Sequence, residues 1–169
     1  MIVRRELTVA AAPEDVWRVL SDPERLPAWW PGVARVEEAT PHAWTTVLRS
    51  DKGKNVRADY TRVEADPLRR LVWRQEVEET PFERILAEST TEIELTPDDD
   101  ERTRVSLAVR HRPRGWARLS PFQMRAAATR QVEGALDGLG RLLGLPAETP
   151  EAPRAGDASA AQESPEEQR

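Results

Sequence analysis

Apolar and polar residues alternate over residues 2–10 (IVRRELTVA), with Val3, Leu7 and Val9 on one face, and this period of two predicts a strand. Helical spacing follows. Val16, Trp17 and Leu20 give an apolar side to a short helix opening at Pro13, with Glu14 and Asp15 well placed at its positive end. A second short helix is capped by Asp22, carries Pro23 in its first turn and stops at Pro31-Gly32. Six strand-like stretches then cover about 33–39, 42–50, 54–65, 70–79, 86–96 and 103–112. Turn residues part them at Thr40-Pro41, Asp51-Lys52-Gly53, Asp66-Pro67 and Asp98–Asp100. Within 54–65, Val56, Ala58 and Tyr60 choose one face and Val63 the other, which predicts a bulge.

Residues 120–145 read as one long helix. Thr129, Val132, Leu136, Leu139 and Leu143 recur at three-four spacing as a continuous stripe. Ser120 and Gln123 have capping-box spacing, with Pro121 at the first helical position. About 25 residues make a helix of about 37 Å, long enough to lie across the half-apolar face of an antiparallel sheet. Gly134 and Gly138, four apart, could admit close approach to a neighbouring backbone, and ordinary tolerance of glycine in a helix accounts for them equally well. The expected class is therefore α+β, with seven antiparallel strands, two short helices after the first and a long C-terminal helix.

Composition narrows the function. The 169 residues are 38% hydrophobic and 33% charged, and no apolar run approaches the roughly 20 residues of a membrane span. The opening MIVRRELTVAAAPED lacks the h-region of a secretory signal, so the cytoplasm is the expected compartment. There is no cysteine, hence no disulfide, thiolate metal site or thiol nucleophile; His42 and His111 alone make a poor zinc set. No metal or cofactor is expected. Arginine outnumbers lysine 23 to 2, a bias of GC-rich bacterial coding that says little about function.

Charge is unevenly placed. From residue 146 the chain reads PAETPEAPRAGDASAAQESPEEQR, with six acids, two arginines and no large apolar residue, so 146–169 is expected to be a disordered acidic tail after a domain at 1–145. Residues 76–101 hold eleven acids and one arginine, whereas 102–130 hold eight arginines and no acid. The two segments read as a hairpin with Ile93 opposite Val105, Thr91 opposite Leu107, Glu94 opposite Arg104 and Glu88 opposite Arg110. Such pairing neutralises much of the basic block. Arg112, Arg114, Arg118 and Arg125 around Trp116 remain as a surface patch.

Several motifs together carry a resemblance. Ala12-Pro13, Val16-Trp17, Leu20-Ser21-Asp22-Pro23 and Trp30-Pro31-Gly32, then Ala65-Asp66-Pro67, Arg70-Leu71-Val72-Trp73 and Thr103-Arg104-Val105, resemble the SRPBCC (START-like, helix-grip) superfamily over about residues 2–145. The closest likeness is to its polyketide cyclase/dehydrase-type family. The resemblance implies a curved seven-stranded sheet wrapped around the C-terminal helix, with a largely apolar cavity between them. It also implies lipid, isoprenoid or polyketide-like ligands, and in some members cyclisation or dehydration of polyketide chains.

Candidate cavity residues follow from the inward faces. Trp30 ends the second helix near the mouth that the resemblance implies. Trp44 and Trp73 offer aromatic walls or, equally well, fill the interior themselves, and Leu107, Val109, Phe122 and Val132 offer apolar lining. Gln75, Thr91 and His111 share inward faces with apolar neighbours and could orient a carbonyl or hydroxyl, as could Arg5 beside Val3 and Leu7. The competing and favoured reading places them, Arg5 and His111 above all, at strand ends that reach solvent. No nucleophile triad, phosphate loop or metal spacing appears. His111 and Tyr60 are the candidate acid–base residues if the protein is a cyclase. The leading expectation is a binder of a hydrophobic small molecule. The alternatives are an aromatase/cyclase, or a protein- or RNA-facing module using the arginine patch; nucleic acid is the less expected partner, and no oligomeric state follows.

Overall fold

The computed structural model describes residues 1–50 and 52–146, apart from the Trp116 side chain. The acidic tail beyond 146 therefore lies outside the described residues. Seven strands form one antiparallel sheet: β1 (Ile2–Val9), β2 (Val33–Glu37), β3 (Ala43–Arg49), β4 (Asn55–Asp66), β5 (Arg70–Glu76), β6 (Leu86–Asp99) and β7 (Arg102–Pro113). Their order across the sheet is β1-β7-β6-β5-β4-β3-β2. Between β1 and β2 come α1 (Pro13–Leu20), a 3-10 turn at Pro23–Arg25 and α2 (Leu26–Trp29), and the last element among the described residues is α3 (Pro121–Leu143). This is the helix-grip fold.

Local chemistry accounts for the elements. Pro13 opens α1, and Asp22 caps the following turn by accepting from the Glu24 amide at 3.0 Å. Ser120 precedes α3 but its side chain makes no capping bond, so the expected capping box does not form. The bulge in β4 falls between Arg62 and Glu64, where Val63 is exposed. Tyr60 and Val63, three residues apart, would take opposite faces in a regular strand as well, so the bulge is read from the pairing with β5.

The β6–β7 register differs from expectation by two residues. Ile93 lies opposite Leu107, Thr91 opposite Val109 and Leu95 opposite Val105. Arg104 faces Thr96, and Glu88 faces Arg112. A two-residue slip keeps every side chain on its own face, so alternation alone does not choose between the registers. Bulges at Leu86/Glu88 and Pro97/Asp99 fix it. The acids of β6 are met from other strands: Arg4 and Arg70 both reach Glu92 and Glu94 across the outer face.

The core is the concave face. Val3, Val9, Leu71, Ile93, Val105, Leu107 and Val109 meet Ala128, Val132, Ala135, Leu136 and Leu139 of α3. Helix α3 lies against β1 and α2, and α2 covers the β2 end of the sheet. Gly138 is where α2 and α3 touch: a Cβ there would meet the backbone of Trp29.

Candidate functional site

Two features converge on the concave face: an aromatic cluster and a row of polar side chains. The cluster starts at Trp29 and Trp30, whose rings meet edge to face at 5.3 Å. Trp30 then meets Trp73 at 5.9 Å, Trp73 meets Trp44 at 5.7 Å, and Trp44 stacks on Tyr60 at 5.8 Å. Leu26, Val33 and Thr46 complete the wall around a cavity of about 10 Å³. That is room for about one water, far below the several hundred Å³ of a small-molecule site.

The polar row follows from register. Trp44 pairs with Tyr60, Tyr60 with Gln75, Gln75 with Ser89, and Ser89 with His111, so one transverse line crosses β3 to β7. Gln75 is 7% exposed and Ser89 is also buried. Trp44 Nε1, Gln75 Nε2 and His111 Nδ1 are buried without a hydrogen-bond partner among the described residues. An unpaired buried donor or acceptor costs about 1–3 kcal/mol, and three of the seven such side-chain atoms among the described residues fall on this line.

Titration behaviour follows the burial. His111 is pushed down to about 4 by desolvation, with the Met1 ammonium adding a smaller push the same way. The imidazole is neutral at pH 7 in the folded chain. A depressed folded value leaves stability intact above the unfolded value of about 6.5 and removes it as pH falls through 4. The expected loss attributable to His111 between pH 7 and 4 is about 2 kcal/mol, allowing for its partial exposure. Urea melts across that range should show a shallower pH dependence in His111→Gln than in the unchanged chain; identical slopes would refute the assignment. Tyr60 keeps some surface in solvent, yet burial of its phenol pushes it up to about 12, with the Thr46 hydroxyl pulling weakly the other way.

The sequence-derived candidates sort clearly. Trp30, Trp44, Tyr60 and Trp73 come together in the cluster, and Gln75 and His111 lie on the row. Thr91, paired with Trp73, sits buried one row along. Leu107, Val109 and Val132 lie in the sealed apolar core. Phe122 departs from expectation: it is 87% exposed, because the first turns of α3 project beyond the elements that would cover them. Arg5 takes the edge position, reaching Glu133 of α3 at 3.1 Å and remaining half exposed. Tyr60 and His111 are not brought together: three strand spacings, about 14 Å, separate their backbones. They do not form an acid–base pair on one reacting atom.

Sequence reasoning missed Ser89 and Arg62. Ser89 stands in the polar run Glu88–Glu92, but it alternates in step with Thr91, Ile93 and Leu95, the signal that could have found it; its pairing with Gln75 and His111 places it on the row. Arg62 lies beside the bulge, with its guanidinium carbon 5.7 Å from the Trp44 ring centroid and Nη2 donating to the Ser21 carbonyl at 2.6 Å. Burial lowers its pKa, and Asp22 partly opposes that. Among the described residues no three His, Asp or Glu side chains gather as metal ligands. Nor is any described helix long and apolar enough to cross a membrane.

Among curated proteins none matches this chain's sequence. The Streptomyces aromatase/cyclase Zhui is similar in structure, with a TM-score of 0.64 at 23% identity over 84% of this chain and 95% of that one. A Thermus thermophilus protein is similar with a TM-score of 0.68, also at 23% identity, over 85% and 97% of the two chains. The di-domain ARO/CYC StfQ from the steffimycin biosynthetic pathway gives 0.67 at 17% identity, over 84% of this chain and 50% of that one. These likenesses establish the fold. The family model described as polyketide cyclase / dehydrase and lipid transport matches residues 1–144, and the chain belongs to that family.

Proposed function

We propose that the protein binds a small, largely apolar molecule bearing carbonyl or hydroxyl oxygens, laid along the polar row with one face against the aromatic cluster. The observation that carries this reading is the line of unpaired polar atoms at Trp44, Gln75 and His111 beside stacked aromatic rings. Ligand oxygens would satisfy those groups, and the rings would shelter the apolar body. Because the cavity at the cluster is small, binding requires the α2 turn to carry Trp30 away from Trp73. Family membership supports the ligand class at this coarse level.

The test compares organic extracts of the purified chain and of Gln75→Leu by mass spectrometry. An enriched compound is expected from the first and about tenfold less from the second. Gln75→Leu should at the same time melt at the same temperature or higher, because it removes a buried unpaired amide. A variant that retains the compound equally, or that melts far lower, would overturn the assignment.

A cyclase reading has one observation of its own: the neutral imidazole of His111 with an unpartnered Nδ1 on the row. It supports His111 as a single base, with Tyr60 too distant to assist at the same atom. Loss of turnover of a polyketide-like substrate in His111→Ala, with binding kept, would support that role.

A further inference from the structure

We propose that the segment from Arg112 to Arg125 is a docking surface for an anionic phospholipid bilayer. The segment covers the end of β7, the 3-10 turn Gly115–Leu119 and the first turn of α3. Leu119 and Phe122, at 84% and 87% exposure, are the two most exposed large apolar side chains among the described residues. Arg112, Arg114, Arg118 and Arg125 are exposed on the same segment. Glu83 meets Arg114 at 3.0 Å, and Arg118 Nε donates to the Pro113 carbonyl, leaving most of its guanidinium to solvent. The run 102–130 contains no acid, and the first turn of α3 has neither an acidic residue nor a side-chain cap.

Glu88 lies opposite Arg112 and Glu83 meets Arg114, so Arg118 and Arg125 carry most of the free positive charge near the two apolar tips in sequence. Such a segment requires a partner that offers negative charge at its surface and an apolar phase just beneath. A bilayer with anionic headgroups offers both. The chain's own residues 147–169 supply acids but no large apolar residue, and would leave Leu119 and Phe122 uncovered. Duplex nucleic acid likewise supplies phosphate without an apolar phase. A second copy meeting this patch by two-fold symmetry would set arginines against arginines.

The full chain is floated with vesicles of pure phosphatidylcholine, or of phosphatidylcholine containing about one-third phosphatidylglycerol. Association at least about tenfold stronger with the anionic vesicles, weakening as salt rises, is expected. Arg118→Glu combined with Arg125→Glu should weaken it by at least about fivefold per site, and Leu119→Ser with Phe122→Ser by about tenfold. Arg49→Glu, on β3, should change it less than about twofold. Both double variants alter exposed side chains, and unchanged melting temperatures will show that their folds are intact. Equal binding to neutral vesicles, no binding to either, or indifference to both double variants would overturn the proposal. So would self-association that Phe122→Ser abolishes, which would assign the patch to a second copy.

Discussion

Replacing Trp73 by alanine is expected to lower the stability of the fold by about 4 kcal/mol, seen as a fall in melting temperature of about 12 °C. Trp73 is 3% exposed on β5 and holds two edge-to-face contacts at once, with Trp30 of the α2 turn and Trp44 of β3. Each such contact contributes about 0.5–1.5 kcal/mol beyond the area it buries. Loss of the indole also leaves a void that Leu26, Trp30 and Trp44 can only partly close. Trp73→Phe keeps an aromatic ring at the junction and should cost about half as much or less. The void is apolar, so millimolar indole added to Trp73→Ala should raise its melting temperature while leaving the unchanged chain unaffected. A loss below about 1 kcal/mol, with no rescue, would mean that the cluster is not the packed keystone these ring contacts describe.

The same cluster shows how far sequence reasoning reaches. Alternation places Trp44 and Trp73 on the inward face of their strands, because a period of two leaves little choice once the apolar neighbours are assigned. It does not say that the rings touch, since that depends on register between strands and on where the α2 turn lands. Trp30 was legible as the end of a short helix; its place inside the sheet's concavity comes from the contact between α2 and α3. Phe122 shows the opposite failure. It lies seven residues before Thr129 and so falls on the apolar stripe of α3. The periodicity is sound, but a stripe is buried only where something lies opposite, and burial of α3 begins at Ala128. The hairpin register missed by two for a related reason, as both alignments keep Ile93, Leu95, Val105 and Leu107 on one face. The polar row at Tyr60, Gln75, Ser89 and His111 was only half visible. Its members are spread over four strands, and a line across strands appears only when every register is known.

Gly138 joins this packing to function. Alanine is the better helix former by about 1 kcal/mol, so Gly138→Ala in an isolated helix would be stabilising. Here the new methyl would sit 2.8 Å from the Trp29 Cα and 2.9 Å from its carbonyl carbon, with the carbonyl oxygen closer still. These are backbone atoms and cannot turn aside as a side chain does. The α2 turn must lift from α3, and the expected net effect is a loss of about 2–3 kcal/mol, or about 8 °C in melting temperature. Gly134→Ala is the matched control, since its methyl meets only the Pro31 ring, 2.7 Å away at Cγ. A change of ring pucker and the gain in helix propensity should hold its net effect within about 1 kcal/mol. The consequence reaches the proposed site because Trp29 and Trp30 ride on the segment that must lift. If ligand enters as that segment opens, Gly138→Ala should release a bound apolar molecule faster than Gly134→Ala does, measured by chase kinetics on the loaded protein. A raised melting temperature in Gly138→Ala would refute the close approach of the two helices. Equal release rates in the two variants would separate the opening of α2 from ligand exchange.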